Sequence, residues 1–164
     1  FIEQEIFQKL DMSQSYYASD KKVIKNRVDG YHLKSGIFEN KTTINYSIPY
    51  AAGSLMSTTE DLLKWQNAIN NYTLINAETT KKVFANYTLN NGEHINYGYG
   101  WHIKSLEGLE SREHGGSIFG FKSMGVYVPS EDLYVIGLSN CDCHSPTKLV
   151  GDIAKAFLIN SIKN

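Results

Sequence analysis

Three stretches in the second half of the chain limit what it can fold into. "YGYGWHIKS" from Tyr97 is aromatic and β-prone, "GFKSMGVYVP" from Gly120 alternates, and "LYVIGLSN" from Leu133 is a nearly continuous apolar run. The last suits a strand buried on both faces. The connections, "LEGLESREHGGSI" and "PSED", are short, so the sequential strands are predicted to form an antiparallel meander. Ser145 then caps a helix with Pro146 at its first position. Leu149, Val150, Ile153, Ala156, Phe157 and Ile159 give that helix a broad apolar face, predicted to pack on the sheet. The fold class is α+β: a three-stranded antiparallel meander packed with helices.

The first half is more irregular. Ile2, Ile6, Phe7 and Leu10 fall at helical spacing. Turn signals at Asp29-Gly30 and Ser35-Gly36 bracket two short strands around Gly30–Phe38. Thr58 with Asp61 reads as a capping box, and Ser57 with Glu60 offers the same pattern one register earlier. Leu62, Leu63, Trp65, Gln66 and Ile69 follow as a helix with one apolar face, and a second short helix starts at Asn76. Trp65 and Trp101 are expected in the core. The chain opens on "FIEQEIFQKLDM", which reads as mid-helix without a cap, so residues 1–164 are expected to be one fragment of a domain.

With 164 residues and a net charge of -1, there is room for one core and no electrostatic reason to expect nucleic acid. No apolar run approaches the roughly 18 residues that span a bilayer. Cys141 and Cys143 form a C-x-C pair, too close for an easy disulfide and only half of a zinc site even with His144 nearby, so they are expected as two structural thiols. His32, His94, His102 and His144 show no ligand spacing and are expected as surface or packing residues. No metal or cofactor is called for. Asn-x-Ser/Thr sequons at Asn40, Asn45, Asn71 and Asn86 are close to chance in a chain this rich in Asn and Thr.

"SREHGGSIFGF" raises the functional question. Two glycines beside His114 weaken a strand, so they mark either a tight turn with a surface histidine or a strand edge bared so that something can approach the backbone.

The order of segments resembles the C-terminal part of the serine β-lactamase and penicillin-binding-protein superfamily, in its class C and esterase-like branch. "FQKLDM" looks like that family's Pro-Leu-Gly-Met element, with Lys and Asp in place of Pro and Gly. "AAGSLMSTTEDLLKW" is similar to its Ala-Gly-Gly-Leu…Ser-Thr…Asp-Leu segment. "YGYGW", "HGGSIFGF" and "LSN" match its closing strands. The resemblance implies a partial β-lactamase/transpeptidase-like fold and a serine hydrolase working through an acyl-enzyme on a β-lactam, a D-Ala-D-Ala-type peptide or a small ester. It also implies that the Ser-x-x-Lys and Tyr-x-Asn elements lie upstream of Phe1, that the fragment alone is inactive, and that the location is extracytoplasmic. By carry-over, His114, Gly115 and Gly116 are the His-x-Gly wall, Ser117 donates an oxyanion N–H, and Tyr99 and Phe119 line the pocket.

Two Ser-x-x-Lys spellings occur inside the chain, at Ser19–Lys22 and Ser145–Lys148. The first lies in a polar loop, and the second follows the His-Gly-Gly segment, against the family order. Lys34-Ser35-Gly36 spells the penicillin-binding form of the wall motif but reads as a hairpin turn. The reading from a different class is a catalytically silent module that holds cell-wall peptide or glycan in the same groove. In the family the last strand pairs with an N-terminal strand, so the apolar edge at Leu133–Leu138 is expected to support self-association.

Overall fold

Turn chemistry sets the frame of the sheet. In the computed structural model, which describes residues 1–19 and 21–162, β5 (His102–Leu106) and β6 (Leu109–Ile118) are joined by Glu107 and Gly108, with φ of 50° and 84°. That is the double left-handed geometry of a tight hairpin, and its twist suits the flanking strands. Phe119 and Gly120, the latter at φ 76°, join β6 to β7 (Phe121–Val128). A short 3₁₀ turn at Pro129–Glu131 leads into β8 (Leu133–Ser139). The strand order is β5-β6-β7-β8, antiparallel throughout. The α+β class is as expected, but the meander has four strands rather than three.

The extra strand is β6, ten residues that read as a connection in the sequence. Its inward positions include Ser111 and Glu113, both buried, so the alternation of a strand is hidden behind polar residues. Glu113 is satisfied by Lys104 Nζ at 2.8 Å and Ser111 Oγ at 3.2 Å, which is what permits a carboxylate under the sheet.

One face of the sheet carries the core. Leu106, Met124, Val126 and Val128 pack against Val150, Ala154 and Leu158 of α4 (Thr147–Ile162). Ser145 Oγ accepts from Thr147 N at 3.5 Å, and Val150 N donates to the Pro146 carbonyl, which makes Ser145-Pro146 the helix start that the sequence indicates. The packed stripe is not the expected face. Val150, Ala154 and Leu158 enter the core, whereas Leu149, Ile153, Phe157 and Ile159 remain exposed. The helix is apolar nearly all round, so periodicity alone does not choose its inner face.

The N-terminal half is held together by its own strand pairs and polar anchors. A π-helical turn (Glu3–Phe7) precedes β1 (Tyr16–Tyr17), which pairs with β4 (Leu55–Met56). The hairpin β2 (Tyr31–Lys34) and β3 (Ile37–Asn40) turns at Ser35 and Gly36, φ 50° and 82°, as read from the sequence. A one-turn helix α1 (Tyr50–Gly53) comes before β4. In α2 (Thr59–Asn70), Thr58 Oγ1 accepts from Asp61 N at 3.3 Å, so the Thr58 register caps the helix. The Asp61 carboxylate is buried and accepts from Gln14 N and Ser15 Oγ, joining the segment after "FQKLDM" to α2. Asn76 caps α3 (Ala77–Val83) through Thr79 N at 2.8 Å. Trp65 and Trp101 are half-buried rather than core, and Trp101 packs on Phe84 with centroids 5.6 Å apart.

The cysteines differ from expectation. Cys141 and Cys143 form a disulfide, because the turn after β8 brings their Cα atoms to 5.2 Å, inside the range a disulfide bridges. The same turn holds the β2–β3 hairpin. Tyr31 N donates to the Asn140 carbonyl, Asp142 N to the Tyr31 carbonyl, and His32 Nδ1 meets Asp142 Oδ2 at 2.5 Å. Asp20, Lys163 and Asn164 lie outside the described residues, and with them one position of the Ser19–Lys22 spelling and the end of the expected 1–164 fragment. Among the described residues, no helix is long and apolar enough to cross a membrane.

Candidate active site

β5 stops early. It pairs with β6 only from Leu109 to Glu113, whereas β7 continues alongside β6 to Ile118. His114–Ile118 therefore has a strand on one side only among the described residues. The two tight connections set which main-chain groups face the open side. The pairs that close a two-residue hairpin are hydrogen-bonded pairs, here Leu106↔Leu109 and Ile118↔Phe121. Even-numbered groups at this end of β6 thus bond β7, and those of Gly115 and Ser117 point outward. Ile103 N donating to Asn96 O at 2.9 Å, on the outer side of β5, follows the same alternation.

The side chains alternate as well. His114 and Gly116 lie on the face away from α4, opposite Gly125 and Ser123 of β7. The glycines thus differ in role. A Cβ on Gly116 would meet only the Ser123 hydroxyl at 2.8 Å, on the open face. A Cβ on Gly115 would press on the Ser123 carbonyl at 3.1 Å and Met124 Sδ at 3.2 Å, on the core face. The pair sits within a strand rather than in a hairpin turn.

Two turns bracket the bared edge. Where β5 stops, the Tyr97–Trp101 turn presents Tyr99, 63% exposed and edge-on to Tyr87; at the other end the β6–β7 connection presents Phe119, 48% exposed. The His102 ring stacks on His114, centroids 6.1 Å apart, and lies edge-on to Tyr97 at 4.7 Å. Loss of hydration, and secondarily the charge His102 can carry, holds His114 below the ordinary imidazole value. The ring is therefore neutral at pH 7. A folded state that resists this protonation loses stability as pH falls through and below about 6.5. Proton NMR of the imidazole should give a His114 midpoint below that of a model imidazole, and His102→Ala should move it upward. An unchanged midpoint in the variant would show that His102 does not act on it.

The other candidates resolve into structural roles. Ser19 Oγ accepts from Lys21 N and Lys22 N, while Lys22 Nζ lies 4.0 Å from Glu3. Ser145 caps α4, and Lys148 pairs with Asp152 at 2.5 Å. Lys34 pairs with Glu39 across its hairpin. Sequence reading places His102 only as a surface or packing residue, whereas the pairing of β5 with β6 brings its ring beside that of His114. Among the described residues no group of three or more His, Cys, Asp or Glu side chains could hold a metal ion. Two open concavities, of about 380 and 590 Å³, lie near the N-terminus against Glu3, Phe7, Lys22, Phe1 and Tyr50, and neither touches the β6 edge.

The family model described as Beta-lactamase matches residues 1–156. The chain belongs to the beta-lactamase family. No curated protein matches it. Among solved structures, this beta-lactamase-family chain is similar to an octameric penicillin-binding protein homologue from Pyrococcus abyssi, at 25% identity and TM-score 0.79, over 97% of this chain and 37% of that one. It is similar in fold to a penicillin-binding protein from Bacillus halodurans, at 22% identity and TM-score 0.73, over 96% of this chain and 48% of that one. The fold likeness extends to a D-amino acid amidase from Ochrobactrum anthropi SV3, at 19% identity and TM-score 0.72, over 99% of this chain and 51% of that one. The chain thus spans 37% to 51% of the length of these structures.

Proposed function

We propose that this chain forms the substrate-facing wall of a serine hydrolase that works through an acyl-enzyme, with the nucleophilic serine and its lysine on protein outside these 164 residues. The observation that carries this reading is the bared β6 edge, where the N–H groups of Gly115 and Ser117 point outward beside a glycine-lined face. Acyl transfer needs pre-positioned N–H donors where negative charge develops on the substrate carbonyl oxygen. Ser117 N–H supplies one such donor, and the nucleophile's own N–H the other. An extended substrate lies along the edge as an added strand, with Gly115 bonding its main chain and Gly116 leaving room for it. The neutral His114 offers a hydrogen-bonding ring at the start of the edge. The substrate class is an acyl donor with a D-configured or cyclic amide, or a small ester, in keeping with the penicillin-binding proteins and the D-amino acid amidase that share the fold. An extracytoplasmic location belongs to the same reading.

The purified chain should neither turn over a chromogenic ester nor be labelled by a fluorescent penicillin. Covalent labelling would place the nucleophile inside the chain and overturn this division of the site. A second reading is favoured by the same edge, which can hold an extended peptide whether or not a nucleophile is present: a catalytically silent module for cell-wall peptide or glycan. Joining the chain to the coding sequence upstream of Phe1 separates the two, since the hydrolase reading requires a labelled Ser-x-x-Lys serine there.

A further inference from the structure

The disulfide after β8 closes a ring of only three residues, Cys141, Asp142 and Cys143. A bond this local does not staple one element to another, and so short a loop removes little freedom from the unfolded chain. What it fixes is the direction of the residue between the sulfurs. That residue, Asp142, commits both its N–H and its carboxylate to the β2–β3 hairpin. The N–H donates to the Tyr31 carbonyl at 3.1 Å, and Oδ2 lies 2.5 Å from His32 Nδ1. Thr42 N donates to His32 Nε2 at 3.0 Å, so the ring hydrogen is on Nδ1 and is given to Asp142.

The base of the same hairpin packs on the turn at the end of the bared β6 edge. Tyr31 N is shared between the Asn140 carbonyl at 2.9 Å and the Gly120 carbonyl at 3.3 Å. A Cβ on Gly120 would fall 2.8 Å from Tyr31 N and 2.8 Å from the Gly30 carbonyl carbon. Gly120 directly follows Phe119. The turn that bounds the edge and the turn closed by the disulfide thus hold the hairpin between them.

The two sulfurs differ in access. Cys141 is 7% exposed, whereas Cys143 is half-buried and is followed by the exposed His144 and Ser145. Cys143 N donates to Cys141 Sγ at 3.2 Å, a contact that favours negative charge on that sulfur.

We propose that Cys141–Cys143 is a thiol–disulfide switch: oxidised, it holds the β2–β3 hairpin against the β6–β7 turn, and reduced by a dithiol, it releases it. A thiolate of the dithiol attacks Cys143 Sγ, the Sγ–Sγ bond breaks, and Cys141 leaves as a thiolate beside the Cys143 N–H. The dithiol's second sulfur then attacks the first, closes the dithiol's own disulfide and frees Cys143. Two electrons and two protons pass from the dithiol to the two cysteines. Asp142 is then free to turn, and its contacts with Tyr31 and His32 are lost together. The release itself does not depend on the hydrolase reading. Its consequence, a substrate edge loosened at the Phe119 end, rests on that reading.

Amide hydrogen exchange of the purified chain, with and without millimolar dithiothreitol, tests the switch, while iodoacetamide labelling and mass measurement count the thiols. Two alkylated thiols are expected only after reduction. Exchange at Tyr31, Thr42 and Asp142 should then quicken by about tenfold or more, with Val126 and Leu62 unchanged. Asp142→Ala keeps the disulfide and removes the carboxylate, so it should quicken Thr42 exchange without any dithiothreitol. The proposal is overturned if the folded chain yields no thiols to dithiothreitol, or if reduction leaves the hairpin amides unchanged. It is equally overturned if Val126 and Leu62 quicken as much as the hairpin, which would make the bond a general support of the fold. If Asp142→Ala does not fold, exchange in the unsubstituted chain decides alone. No substrate enters this test, so its failure leaves the hydrolase reading standing, and a failed penicillin labelling leaves the switch standing.

Discussion

In a protein that carries the proposed nucleophile, Ser117→Pro is expected to slow acylation by about 10²–10³-fold, while Ser117→Ala changes it only a few-fold. Proline deletes the N–H together with the hydroxyl and holds φ at about −65°. The Ser117 N–H points away from β7, so the ladder loses no hydrogen bond, and Gly116 before it tolerates the extended backbone that a following proline demands. Alanine removes the hydroxyl and keeps the N–H. The contrast therefore isolates the main-chain donor from the side chain. Single-turnover acylation with a fluorescent penicillin or a chromogenic ester provides the rates, and thermal melts of the 164-residue chain with each substitution report on the fold. Equal losses in both variants, or none with proline, would remove Ser117 N–H from the oxyanion site.

The largest effect on stability is expected from Gly98→Ala. A Cβ there would sit 2.2 Å from the Val83 carbonyl oxygen and 3.2 Å from that of Ala85. Neither atom can rotate aside, since both belong to the backbone at the end of α3. The turn is fastened to that end as well, with Tyr99 N donating to Val83 O at 2.9 Å and Gly98 N to Trp101 O at 2.8 Å. Relief thus requires moving α3 or the turn that presents Tyr99, at a cost of about 3 kcal/mol and a fall in Tm of about 10 °C. Gly92→Ala is the matched control. Gly92 has φ 88° with nothing within 4 Å of an added Cβ, so only backbone strain of about 1 kcal/mol is expected. Chemical denaturation of both variants compares close approach with left-handed strain. Equal losses would mean that the α3 contact is not what requires glycine at 98.

Gly98 and Ser117 also mark where sequence reading stops. "YGYGW" is visible as a motif, but its glycine is required by a carbonyl fifteen residues earlier, and no local pattern records that distance. Ser117 follows from motif resemblance, yet the direction of its N–H depends on where β5 ends and on the parity of two hairpins. His102 carries no signal at all, since its contact with His114 is made between neighbouring strands.

Features governed by neighbours a few residues apart were legible in the sequence alone: the Thr58 and Asn76 caps, the Ser35-Gly36 hairpin, the Ser145-Pro146 helix start and β8 as a strand, although its residues are half-buried rather than buried on both faces. Their energetics are local, so a short window contains them. Only the tertiary structure decided that β6 is a strand despite its buried Ser111 and Glu113, that Cys141 and Cys143 join, and that α4 turns Val150, Ala154 and Leu158 inward. Each of these depends on what the folded chain places opposite a residue: Lys104 beside a carboxylate, a turn that brings two thiols into reach, and a sheet packed against one stripe of a helix.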